Sequence, residues 1–216
     1  LVGFTCACAW VPTTWTHHRP HLTRAWRPNR ATLQKALFLD RDGTINREVD
    51  YLSRVEDLEL IAGSAKAIAA AQQAGWKIVV ITNQSGIARG ILSEADLAML
   101  HAGMDTELAK AGASVDLYKF CPHHPDVGEP PYRQNCECRK PKPGMYLEAI
   151  AELQIDVAQS WCVGDSLRDL EAAKHAGITK CALVETGKGA AQKGGLAFGD
   201  LLSVDLPTAI AAILAE

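Results

Sequence analysis

Ala36-Leu37-Phe38-Leu39-Asp40-Arg41-Asp42-Gly43-Thr44 is a run of four apolar residues that ends on two carboxylates and a glycine. A short, continuous apolar stretch of this kind reads as a strand buried on both faces. Buried strands of that type belong to parallel sheets, whose ligands gather at the carboxyl ends of the strands. Asp40 and Asp42, two apart at a strand end, are expected to project to the same side. Gly43 allows the sharp exit that follows.

The chain on either side repeats the pattern. Residues 64–74 form an Ala-rich helical stretch stopped by Gly75, and residues 77–81 are a β-branched strand ending at Thr82-Asn83-Gln84. Ser93 opens a helix to about residue 111, with Asp96 in the capping-box position. Residues 115–120 form a third strand, 145–153 a helix, 160–163 a strand ending at Gly164-Asp165, 169–175 a helix, 181–184 the last clear strand and 206–214 a closing helix. Strands alternating with helices predict an α/β fold, a doubly wound parallel sheet with helices on both faces. The intervals between motifs leave no room for a large cap domain.

Polar groups follow four successive strands: Asp40-Arg41-Asp42, Thr82-Asn83-Gln84-Ser85, the segment carrying Arg139-Lys140, and Asp165-Ser166. An aspartate after one strand is often a turn former. Four such groups at one sheet edge define a site. Asp40, Asp42 and Asp165 converge as carboxylates with few basic neighbours, a hard-cation site suited to magnesium. Magnesium, Thr82 and Lys140 are expected to neutralise the oxygens of a transferring phosphoryl group. Asp40 would then be a carboxylate nucleophile and Asp42 the general acid and base.

The segment before Lys140 has its own chemistry. Cys121-Pro122-His123-His124 and Cys136-Glu137-Cys138 place three thiols and at least one imidazole within eighteen residues. Paired spacings of this kind suit a tetrahedral structural zinc. Cys121, Cys136 and Cys138 are three ligands, and His123 or His124 is the fourth. His123 mirrors the Cys-x-Cys spacing. The loop holds no apolar run with which to build a core, so the metal would fix its shape and the direction of Arg139 and Lys140.

Asp40-x-Asp42-Gly43-Thr44, Thr82, Lys140 and Gly164-Asp165 resemble the four motifs of the haloacid dehalogenase-like phosphatases. That resemblance implies an aspartyl-phosphate mechanism on Asp40 and a magnesium site of Asp40, Asp42 and Asp165. The longer runs Leu39 to Asn46, Thr82 to Gly90, Cys121 to Pro125 and Cys136 to Met145 narrow it to a zinc-loop subfamily that includes phosphatases of heptose bisphosphates and of histidinol phosphate. The Ser85-Gly86-Ile87-Ala88-Arg89-Gly90 run fits the heptose branch better. In that subfamily the zinc ligands correspond to Cys121, His123, Cys136 and Cys138. Substrate contacts correspond to Glu48, Val49, Asp50, Tyr51, Thr82, Asn83, Gln84, Ser85, Arg139 and Lys140. Arg41 and Ser166 complete the expected set, although some members carry a lysine where Ser166 stands, so a cationic contact is expected to be lost there. Arg139 is the candidate for a second, non-reacting phosphate.

The 216 residues carry a formal charge of −3, but the balance is uneven. Residues 1–35 hold five Lys and Arg and no acid, leaving 36–216 at −8. An acidic body speaks against nucleic acid as a partner, since phosphate-backbone binding draws on clustered cations. No apolar run is long enough for a membrane span. Residues 1–35, broken by Pro12, Pro20 and Pro28, read as a disordered or non-native extension of a single domain over 36–216. Seven cysteines, some committed to a metal, fit a reducing compartment. The expectation is a monomeric cytoplasmic enzyme acting on a small phosphorylated sugar.

Overall fold

A computed structural model describes residues 33–216. Six parallel strands, β1 (Ala36–Leu39), β2 (Lys77–Asn83), β3 (Leu117–Cys121), β4 (Trp161–Gly164), β5 (Lys180–Val184) and β6 (Leu201–Ser203), pair in the order β3-β2-β1-β4-β5-β6. The chain winds outward from β1 through β2 to β3, then returns to the other flank of β1 and winds outward again. The switch point therefore lies between β1 and β4, where Leu37, Phe38 and Leu39 register with Trp161, Cys162 and Val163. In a sheet of this topology a crevice opens at the carboxyl ends of those two strands.

The side-chain period of two divides the strand residues between two cores. Leu37, Leu39, Ile78, Val80, Val163 and Val184 face the layer that holds the helices α1 (Ser64–Gln73) and α6 (Leu206–Leu214). Phe38, Val79, Ile81, Cys162 and Leu183 face α3 (Gly144–Leu153) and α4 (Leu167–His175). Each fully buried aliphatic or aromatic side chain contributes about 1.5–3 kcal/mol. A smaller cluster of Leu52, Ile87, Leu92, Leu97 and Leu100 joins α2 (Glu94–Ala109) to the segment after β1. The capping box expected at Ser93 is present, with reciprocal bonds to Asp96 of 3.1 and 2.8 Å.

Most boundaries fall within two residues of those expected. β2 runs on through Thr82 and Asn83, so these residues sit on the strand itself rather than after it. Among the described residues, two elements besides short 3-10 turns are additional to the expected set. One is the four-residue α5 (Gly189–Gln192), and the other is β6, which extends the sheet beyond β5. The expected N-terminal extension lies outside the described residues except at its end. There, Gln34 bridges to Ile155 and the Lys35 carbonyl accepts the Lys77 N–H at 2.9 Å. Among the described residues, no helix is long and apolar enough to cross a membrane.

Candidate active site

A cavity of about 270 Å³ opens at the switch point. Asp40 reaches it directly from β1, Lys140 from the segment leading to α3, and Thr82 from β2. Lys140 is almost fully buried. Its Nζ lies 2.9 Å from Asp40 Oδ1 and 2.7 Å from Asp169 Oδ1, and donates to the Ile81 carbonyl at 2.7 Å. Burial alone would pull the ammonium down, but Asp169 and Asp40 outweigh it and its pKa is raised. The lysine therefore stays charged. Asn83 fixes its main chain from both sides, donating to the Lys140 carbonyl at 3.2 Å and accepting the Lys140 N–H at 3.1 Å.

Carboxylate oxygens of Asp40, Asp165 and Asp169 lie within 4.8 Å of one another. Burial is the main cause that raises Asp40 to about 7, against the pull of Lys140 and with the help of Asp169 and Asp165. Burial likewise lifts Asp165 to about 6, despite the Lys188 N–H that its Oδ2 accepts at 2.8 Å. Three buried carboxylates against one ammonium leave surplus negative charge that a divalent cation would neutralise. Gly43 and Gly187 line the Asp165 carboxylate so closely that a Cβ at either would collide with it. The residues fit magnesium.

Asp42 stands apart from this group, in contrast to the expected metal set of Asp40, Asp42 and Asp165. Its carboxylate accepts two N–H groups of Arg41 at 2.8–3.1 Å, Asn46 Nδ2 at 3.0 Å and Gln84 Nε2 at 2.9 Å. These partners, Arg41 foremost, outweigh burial and hold the carboxyl below its usual range. The strand ends at Leu39, yet Asp40 and Asp42 both reach the cavity, as their spacing predicts.

Of the expected substrate contacts, Glu48, Val49, Asp50, Tyr51, Thr82, Asn83, Gln84, Ser85, Arg139 and Lys140 all line the cavity. Arg41 and Ser166 do not. Arg41 is 1% exposed and committed to Asp42. Ser166 is buried as the cap of α4, with its N–H on Asp169 Oδ2 at 3.1 Å and its hydroxyl on Gln192 at 3.2 Å. Three cations outside the expected substrate contacts also line the cavity: Arg89, Arg168 and Lys188. Lys188 Nζ pairs with Glu48 at 3.1 Å, and Arg89 lies over the Tyr51 ring at 5.5 Å. Asp169, likewise missed, looked like the first residue of a helix. The Gly-Asp-x-x-x-Asp spacing at 164–169, which returns a carboxylate to the same side one helical turn on, was the signal that could have found it.

The cysteine loop closes on itself beside the cavity. Sγ of Cys138 lies 3.3 Å from Cys121 Sγ, 3.2 Å from Cys136 Sγ and 3.3 Å from His123 Nδ1. Ligand atoms at about 2.3 Å from a tetrahedral zinc would be roughly 3.8 Å apart, so the set need widen by only about half an ångström to take such an ion. His123 belongs to this set. His124 turns the other way, its Nδ1 accepting the Asp126 N–H at 3.1 Å and its ring lining the cavity. Arg139 donates to the His123 carbonyl at 3.1 Å, which ties the guanidinium to the cysteine cluster.

A carboxylate at the end of the first strand, a buried lysine paired with it and acidic residues just after the fourth strand define a hydrolase of the phosphate-transfer type. Residues 14–177 match the haloacid dehalogenase-like hydrolase family, and the chain belongs to that family. Among its curated relatives, the D-glycero-beta-D-manno-heptose-1,7-bisphosphate 7-phosphatase of Photorhabdus laumondii is 44% identical over 182 residues, 82% of this chain and 96% of the relative. The enzyme of the same name from Escherichia coli K12 is 46% identical over 153 residues, 71% of this chain and 80% of the relative. The crystal structure of D,D-heptose 1,7-bisphosphate phosphatase from B. bronchiseptica, complexed with magnesium and phosphate, superposes with a TM-score of 0.76 at 40% identity, covering 84% of this chain and 98% of that one.

Proposed function

We propose that the chain is a magnesium-dependent phosphatase that removes the 7-phosphate of D-glycero-D-manno-heptose 1,7-bisphosphate, a step toward the nucleotide-activated heptose of lipopolysaccharide core. The observation that carries this reading is the buried Lys140–Asp40 pair on the cavity floor, beside Asp165 and Asp169. The curated relatives supply the choice of sugar.

In this reading Lys140 and the Thr82 hydroxyl hold the phosphoryl oxygens while Asp40 attacks phosphorus in line. The new bond makes an aspartyl-phosphate, and the phosphorus–oxygen bond to the sugar breaks. Asp42 gives its proton to the leaving oxygen, then takes one from the water that cleaves the aspartyl-phosphate, restoring Asp40 and releasing phosphate. The free site holds Asp42 ionised, which suits the second half. A phosphate dianion entering beside it raises its proton affinity, which suits the first. Magnesium held by Asp40 and Asp165 would supply positive charge opposite the phosphoryl oxygens.

Gln84 orients Asp42 and Thr82 together, donating to both at 2.9 Å. Zinc is the natural occupant of Cys121, His123, Cys136 and Cys138, and it would anchor Arg139 at the rim, facing a second phosphate. A monomeric cytoplasmic enzyme, with neither nucleic acid nor membrane as partner, completes the reading. Its support is the acidic body and the free thiols among the described residues.

The test is phosphate release from heptose 1,7-bisphosphate, histidinol phosphate and 3′-phosphorylated DNA, with phosphorus NMR to identify the phosphate that leaves. Loss of the 7-phosphate with the 1-phosphate retained is expected. Preference for histidinol phosphate would move the assignment to that substrate.

A further inference from the structure

Five cations line the cavity, and four of them have a visible use. Lys140 serves Asp40 and Asp169, Lys188 pairs with Glu48, Arg139 donates to the His123 carbonyl, and Arg89 covers the Tyr51 ring. Arg168 differs. It sits in the first turn of α4, its side chain lines the cavity, and its Nε is buried with no hydrogen-bond partner. A charged N–H out of water without an acceptor costs about 1–3 kcal/mol or more. A cavity-facing group in that condition is suited to an acceptor that arrives with the ligand.

Its surroundings narrow what that acceptor is. The Arg168 charge acts on Lys188, which pairs with Glu48 at 3.1 Å, whereas the charges that act on Asp40 are Lys140, Asp169 and Asp165. Glu48 and Asp165 balance Lys188 and Arg168 here, but the Arg168 Nε has no acceptor of its own. A guanidinium there is placed for a second anion, and its planar fork suits a phosphate.

We infer that Arg168 binds the non-reacting phosphate of the sugar bisphosphate, adding a contact from the α4 wall to the one from Arg139. This assignment rests on the bisphosphate reading above. It also supplies the cation that Ser166 does not.

The experiment compares wild type, Arg168→Gln and Arg168→Lys, each with magnesium, on heptose 1,7-bisphosphate and on heptose 7-phosphate. For Arg168→Gln the KM for the bisphosphate should rise about tenfold or more, the loss of a charge-assisted bond, while kcat/KM for the 7-phosphate stays within about twofold. Arg168→Lys, which keeps the charge and loses the fork, should recover part of the bisphosphate affinity. Equal losses on both substrates, or an unchanged KM for the bisphosphate, would overturn the contact. Wild type indifferent to the 1-phosphate would overturn the bisphosphate reading and the contact with it. Wild type that prefers the bisphosphate while Arg168→Gln matches it would remove the contact alone.

Discussion

Asp40 and Asp42 are two residues apart and answer oppositely to the same substitution. Asp40 sits among carboxylates that repel it, so Asp40→Asn removes a charge that the fold holds at a cost. Turnover should fall by about 10³ or more, as expected for loss of a nucleophile, while the melting temperature holds or rises. Asp42→Asn instead strips the carboxylate from the buried Arg41. Removing one member of a buried pair costs about 3 kcal/mol, so this variant should lose both activity and thermal stability. Calorimetry and steady-state kinetics on the two variants check the contrast. Equal melting temperatures would contradict it. Both positions were legible from the sequence, because a strand that ends in carboxylates announces a site. Their different environments were not, since their partners, Arg41 for one and Lys140 for the other, decide them. Arg168 and Lys188 escaped for a related reason. A cation early in a helix or in a Gly-flanked loop looks the same in sequence whether it faces water or a cavity.

His101 carries the acid response of α2. It is nearly buried, stacked on Tyr118 at 4.2 Å, and its Nε2 has no partner. Burial first, and the Arg41 charge second, push its imidazole down from 6.5 to about 4. The unfolded chain therefore binds a proton between those values that the folded chain refuses. Stability from this group is complete above pH 6.5 and is lost as pH falls toward 4, by up to roughly 3 kcal/mol. Urea midpoints at pH 7 and 4.5 should separate for wild type and draw together in His101→Leu. The cysteine loop is the other segment with a distinct dependence. If zinc is the metal of the loop, Cys136→Ser should abolish its binding and raise KM more than it lowers kcat, because Arg139 is tied to the loop through His123. Metal analysis beside kinetics tests this, and full retention of both metal and KM would exclude a structural zinc. The loop was readable because paired Cys and His at fixed spacing have few other uses. β6 was not, being three residues with no apolar alternation to mark them.

The doubly wound order of the strands was legible from alternation alone, since right-handed crossovers leave few topologies. Alternation does not rank the charges gathered at the switch point. That balance sets a property of the complete protein. With Asp40, Asp165 and Asp169 facing Lys140, the site keeps negative charge in excess, so magnesium should stabilise the fold as well as complete the site. At a hundred times its dissociation constant a bound ion adds about 2.7 kcal/mol. The melting temperature of wild type should rise with added magnesium, and that of Asp165→Asn should respond far less. An identical response in both would place the ion elsewhere.

Arg139 and Lys140 are neighbours in sequence with different landlords. The lysine is held by Asn83 and the Ile81 carbonyl, both on β2, and the arginine by a carbonyl of the cysteine loop. The boundary between the part that breaks the bond and the part that chooses the molecule therefore runs through one peptide unit. A lineage could exchange residues 121–139 for a loop of another shape and acquire a new substrate without relearning the reaction. The same exchange is open to an engineer, with the graft ending at residue 139.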